Sequence, residues 1–180
     1  MSILNVARIG NPVVRVAAKP VDVDAIRSVP IQHLIDDMIE TMHEYEGVGL
    51  AAPQVHVALR LAVIEVPADD ERSEAAVPLT VLVNPVVMPL GDETELGWEG
   101  CLSIPDLRGQ VPRLKRLKLE ARDRKGKAYT VEASDFFARV IQHECDHLDG
   151  IVYIDRMQGM STLSFQRELE RVLDAESQDE

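Results

Sequence analysis

Ser134-Asp135-Phe136-Phe137-Ala138-Arg139-Val140-Ile141-Gln142-His143-Glu144-Cys145-Asp146-His147-Leu148-Asp149-Gly150 is the stretch on which the reading of the fold turns. Phe136, Phe137, Val140, Ile141 and Leu148 recur at helical spacing, Ser134 stands where an N-cap belongs, and Asp149-Gly150 supplies a C-terminal stop. The spacing predicts a helix over 135–148. On that helix His143 and His147 lie one turn apart, so both imidazoles leave the same face and can share one cation. Glu144 between them completes an H-E-x-x-H pattern, in which the carboxylate is a general base beside a metal-activated water. The bland alternative is a pair of surface histidines, and it requires both the glutamate and the helix caps to be accidents. Two imidazoles still need a third ligand.

Glu99-Gly100-Cys101-Leu102-Ser103 offers one. A Cys101 thiolate with two imidazoles leaves a tetrahedral metal one open position, which catalysis requires, although a lone thiol is also common as buried filler. The run Gly47-Val48-Gly49-Leu50-Ala51-Ala52-Pro53-Gln54 is either a tight loop or a surface on which a peptide can lie against the main chain, with Gln54 as a neutral donor for a developing oxyanion. It does not fit G-x-G-x-x-G, so no dinucleotide site follows. The only other cysteine, Cys145, points about 100° around the helix from Glu144 and reads as a packed thiol. Neither cysteine belongs to a C-x-x-C pair, which argues against a disulfide framework.

Outward from these motifs, Ile31, Leu34, Ile35, Met38 and Met42 predict an amphipathic helix over 31–45, started by Pro30 and stopped by Gly47, with His33 and His43 on its surface. Strands are predicted over 58–66, 80–83 and 86–88, with a polar loop over 67–78 and a stop at Asn84-Pro85. Residues 114–121 and 128–131 flank the turn Asp123-Arg124-Lys125-Gly126 as an antiparallel hairpin. Phe165, Leu169, Val172 and Leu173 predict a last amphipathic helix over 161–174, before an acidic tail from about 175. The fold class is α+β: short antiparallel strands packed around a central metal-binding helix, with flanking N- and C-terminal helices, in one domain over 1–180.

Composition narrows the function classes. A formal charge of -12 argues against direct nucleic-acid binding, and the one basic cluster, from Arg113 to Lys127, reads as the solvated face of the hairpin. No apolar run approaches the roughly 18 residues of a membrane span, and the opening residues lack a secretory pattern, so a cytoplasmic location is expected.

Together the three motifs resemble one family, the peptide deformylases, whose pattern is a G-x-G-x-A-A-x-Q loop, an E-G-C-L-S segment and an H-E-x-D-H helix. All three stand here in that order, and Ile9-Gly10-Asn11-Pro12-Val13-Val14-Arg15 also looks like the family's start, with Asn11 and Val14 where Asp and Leu are commoner. The resemblance runs over about 3–155. It implies that Cys101, His143 and His147 bind one divalent metal, Fe(2+) in the cell with Zn(2+), Ni(2+) or Co(2+) able to substitute. It further implies a hydrolase of protein biosynthesis that removes the formyl group from nascent N-formylmethionyl peptides in co-translational N-terminal processing. Glu144 would be the acid/base, and Gln54 with the Leu102 N–H would hold the oxyanion. Val48 and Gly49 would pair with the peptide backbone, and Arg108 would stand near the peptide path; by its spacing, one turn before His143, Val140 is with Leu102 either a wall of the methionine slot or plain core packing. The ribosome is a partner by function. Docking through a basic C-terminal helix, as in some relatives, does not suit this chain, whose residues 161–180 hold six acids against Arg167 and Arg171. Residues 68–77 form an insertion relative to the family. Two rivals remain at this level: a thermolysin-like zinc peptidase taking Glu168 or Glu170 as third ligand, and a non-catalytic ribosome-associated module with a structural metal.

Overall fold

Leu61–Val66 is apolar at almost every position because both of its faces are covered. In the computed structural model, which describes residues 2–70, 72–73 and 75–178, the elements in chain order are α1 (Val29–Glu44), β1 (Gly49–Ala51), β2 (Leu61–Val66), β3 (Val77–Pro89), β4 (Thr94–Cys101), β5 (Ile104–Leu114), β6 (Arg116–Arg122), β7 (Ala128–Ser134), α2 (Asp135–Leu148), β8 (Ser164–Phe165) and α3 (Gln166–Gln178). Five strands form an antiparallel sheet in the order β1-β2-β3-β6-β7, and β4-β5-β8 form a second. Alternation along β2 sends Leu61 and Val63 toward Ile35, Met38 and Met42 of α1. Ala62, Ile64 and Val66 face the other way, toward Ala138, Ile141 and Leu148 of α2. The large sheet is thus clamped between two helices, each fully buried Leu, Ile or Met contributing about 1.5–3 kcal/mol. The α+β architecture with α2 at its centre is the one the sequence predicts.

Several boundaries differ for identifiable reasons. α1 ends on Glu46 in the left-handed region (φ 53°), while Gly47 packs under Leu102 instead of serving as the stop. Residues 58–60 are outside β2 because they bond to the N-terminal segment, Lys19 N–H to Ala58 O and Arg60 N–H to Lys19 O. The strands expected over 80–83 and 86–88 are one strand, β3: Asn84 adopts φ 51° at a register shift, and its side chain pairs both ways with the Val21 backbone at 2.8 Å. Ser134 precedes α2 without a side-chain cap, the N–H of Asp135 bonding to Lys115 O instead. Gly150 (φ 74°) does close that helix.

The β4–β5 hairpin is the element that sequence periodicity misses. Its core-facing positions include Gly109 and Arg113, so the apolar alternation that marks a strand is broken where it matters. Leu114 accordingly ends β5 and does not open β6. Arg113 is buried, which corrects its placement on a solvated basic face. α3 starts at Gln166, since Ser164 and Phe165 pair with Arg108 and Leu107 of β5, and Phe165, Val172 and Leu173 are exposed, so its apolar stripe is not core. The acidic tail expected from about 175 is helical to Gln178, and its last two positions lie outside the described residues.

Candidate metal centre

α2 delivers His143 and His147 to the end of the β4–β5 hairpin, where Cys101 closes β4 after a register shift that follows Glu99. Cys101 Sγ lies 3.2 Å from His147 Nε2, and one ligand atom from each of Cys101, His143 and His147 falls within 4.8 Å of the others. Two ligands at about 2.3 and 2.1 Å from a common tetrahedral ion would stand roughly 3.5 Å apart, so the spacing and the donor set both fit a divalent cation. Burial opposes the Cys101 thiolate, but the imidazoles of His147 and His143 outweigh it and hold the thiol well below its ordinary range. Glu168 and Glu170, the ligands a thermolysin-like site would use, ride on α3 and are not in this cluster; Glu168 pairs with Arg171 at 2.6 Å.

The His143 ring is held by a group that sequence reasoning quoted without a role. Its Nδ1 stands 2.9 Å from Glu99 Oε2, which leaves Nε2 for a metal. Glu99 also accepts from Arg113 Nε and Nη2, each at 2.9 Å, and from Arg139 Nη1 at 3.0 Å. These bonds overcome the effect of burial and keep Glu99 ionised far below the usual carboxylate range. Arg113 continues to Asp146 at 2.5 Å, and Asp146 accepts from Arg156 at 2.6 and 3.1 Å. Tyr153 stacks on His143, ring centroids 6.3 Å apart. No local pattern reveals such partners, although the alternation Val111, Arg113 along β5 is a signal that Arg113 turns inward.

Every predicted site residue except the buried His147 borders one cavity of about 490 Å³. Glu144 is buried there with no partner for Oε2 among the described residues, and burial lifts its carboxyl above the ordinary value despite the neighbouring imidazoles. Its carboxylate lies directly on Gly49, where any Cβ would overlap it. Gln54 is buried too: Oε1 accepts the Ala51 N–H at 2.9 Å, which aims Nε2 at Cys101 Sγ (3.5 Å) and Ser103 Oγ (3.2 Å). Because Val48 O accepts from Glu65 and the Ala51 N–H turns to Gln54, strand alternation directs the N–H and C=O of Gly49 away from β2, along the free edge of the sheet. Val140 stands on the α2 wall, Leu102 in the turn after Cys101, and Arg108 lies over Gly100. Cys145 packs against the α2 core with its thiol pushed up to about 12 by burial, consistent with an inert filler.

A family model described as polypeptide deformylase matches residues 3–162. The chain belongs to the polypeptide deformylase family. Among curated deformylases it is 45% identical to peptide deformylase 1 of Bordetella pertussis, with 89% of this chain and 90% of that protein covered. It is 46% identical to peptide deformylase 2 of Pseudomonas putida, covering 82% and 84%. A class I type b peptide deformylase from Acinetobacter baumannii, solved with Met-Ala-Ser bound, superposes with a TM-score of 0.82 at 36% identity, covering 86% of this chain and 98% of that one. No helix among the described residues is long and apolar enough to cross a membrane.

Proposed function

We propose that Cys101, His143 and His147 hold the metal of this deformylase, and that Glu144, Gln54 and the Leu102 N–H carry its reaction, the hydrolytic removal of the formyl group from nascent formylmethionyl peptides. The observation that carries the assignment is the buried Glu144 carboxylate, with Oε2 unpartnered, facing the cavity beside the Cys101–His143–His147 cluster. A divalent cation held by Cys101, His143 and His147 would supply Lewis-acid chemistry to the formyl carbonyl and to water. Glu144 takes the proton from the attacking water at Oε2 and returns it to the departing amine, a task suited to a carboxyl that burial holds above its ordinary value. The Gln54 amide and the Leu102 N–H donate to the oxygen on which negative charge develops, and the tether to Ala51 fixes the amide before the reaction begins.

The peptide adds to the free edge of β1, pairing with the outward N–H and C=O of Gly49 and lying beside Val48, so that its formyl end reaches Glu144. Val140 lines the recess for the methionine side chain, and Arg108 faces the peptide beyond it. The resident metal of this reading is Fe(2+), with Zn(2+), Ni(2+) or Co(2+) able to replace it; affinity alone would favour zinc. Residues 1–180 act as one catalytic domain in the cytoplasm, meeting nascent chains at the ribosome without the acidic α3 as its dock.

Formate release from formyl-Met-Ala-Ser by metal-replete protein is the test. Glu144→Gln should abolish release while keeping the metal, and full activity in that variant would sink the assignment. Anaerobic preparations should outlast aerobic ones, and equal lifetimes would count against iron.

A further inference from the structure

Ser103 lies in the short turn between β4 and β5 and is fully buried, yet it is not one of the three metal-binding donors and does not border the cavity. An enclosed hydroxyl needs a hydrogen-bond partner, and Ser103 Oγ accepts from Gln54 Nε2 at 3.2 Å. The other end of the same amide decides which way round it lies. The Ala51 N–H can only donate, so Oε1 accepts it at 2.9 Å and the NH2 group faces Ser103 and Cys101. A single bond at Oε1 would let the amide rock about that contact. The second bond, to Ser103, engages one N–H and leaves the other on the side of the metal cluster, with Nε2 3.5 Å from Cys101 Sγ.

The main chain holds the two residues in the same relation. Ala7 N–H donates to Gln54 O at 2.7 Å, and Ile9 N–H donates to Ser103 O at 2.8 Å, so one short piece of the N-terminal segment spaces both turns. Ser103 N–H in turn reaches Cys101 Sγ at 3.4 Å. Gln54, Ser103 and the Cys101 ligand are therefore set against one another before any peptide arrives.

We propose that Ser103 is a positioning residue for the reaction: its hydroxyl holds the Gln54 amide so that the remaining N–H is already aimed when charge develops on the formyl oxygen. The proposal rests on the deformylase reading, with Gln54 as an oxyanion donor. A dipole fixed in advance needs no reorganisation as the charge forms, and that is the source of its advantage over water. Ser103 acts through Gln54, and without that amide it has nothing to position.

The experiment measures kcat and KM for formyl-Met-Ala-Ser in metal-replete wild type, Ser103→Ala, Gln54→Leu and the double variant. Ser103→Ala should lower kcat about tenfold at unchanged KM, a part of the roughly 10²–10³-fold that loss of a whole oxyanion donor costs. In the Gln54→Leu background the same change should cost less than about twofold, the non-additivity expected of residues that act together. A second readout needs no turnover: in Zn(2+)-loaded protein the order parameter of the Gln54 side-chain amide should be about 0.85 in wild type and fall toward about 0.6 in Ser103→Ala. A normal kcat in Ser103→Ala, or a tenfold loss that persists without Gln54, overturns the proposal. Should Ser103→Ala not fold, the wild-type order parameter decides it, and a mobile amide below about 0.6 overturns it. Failure of wild type to release formate would instead overturn the deformylase reading.

Discussion

Glu99 Oε2 stands 2.9 Å from His143 Nδ1, so a strand of the small sheet fixes the orientation of a ligand carried by the central helix. Glu99 is itself held by two buried arginines, Arg113 and Arg139. Glu99→Gln keeps the shape and loses the charge, and it should weaken metal affinity by about 10–100-fold in a chelator competition. Glu99→Ala leaves the buried Arg139 without a carboxylate and Arg113 with Asp146 alone, and should cost about 3–5 kcal/mol of stability in denaturant unfolding. Unaltered metal affinity in the glutamine variant would show that His143 needs no such support.

Gly49 is required by contact. A methyl group there would overlap the Glu144 carboxylate, with its Cδ only 2.7 Å away. Gly49→Ala should therefore lower kcat by about 10²–10³-fold, within the range that a displaced general base can lose. Metal content and thermal midpoint should stay near wild type, because β1 keeps its ladder with β2. A variant with normal kcat would mean that Glu144 works from another position.

How far the sequence reaches is clear from these same residues. The helix over 135–148 was legible because its apolar spacing and its glycine stop agree, and Cys101, His143, Glu144 and His147 were legible because metal chemistry restricts residue type. Glu99 and Asp146 sit inside the quoted motifs, yet their partners come from β5, from α2 and from the segment after α2, and no local rule predicts pairing across such distances. The β4–β5 hairpin was hidden because buried Arg113 and Gly109 occupy positions where a strand normally shows apolar side chains. β3 looked like two strands because Asn84 bends it while using its side chain to hold Val21.

Acid stability should carry a signature of the Arg15–Asp155 pair, which ties the N-terminal segment to the turn after α2. Burial pushes the Asp155 carboxyl up, but the Arg15 guanidinium and the Val152 N–H outweigh it and hold it below its ordinary value of 3.8. A depressed carboxylate stabilises the fold above its unfolded pKa, and that contribution is lost as the pH falls through the folded one. The difference in thermal midpoint between wild type and Asp155→Asn should thus be present at pH 6, begin to shrink only as the pH nears the ordinary value of 3.8, and vanish below the depressed folded value. Its size should stay under about 1 kcal/mol, because both side chains are more than a third exposed. A difference that grew on acidification would reverse the sign assigned here.

The third ligand separates a deformylase centre from a peptidase-like one. Cys101 Sγ is 3.2 Å from His147 Nε2 and is buried with it, whereas Glu168 is an exposed residue of α3 paired with Arg171. Cys101→Ala removes one of three protein donors and the only thiolate among them, and metal content after dialysis should fall from one equivalent to near zero. Glu168→Ala should keep its full equivalent and its rate of formate release, since it loses only an exposed ion pair of about 0–1 kcal/mol. Metal retained without Cys101 but lost without Glu168 would move the centre to α3, against the burial, the spacing and the family to which the chain belongs.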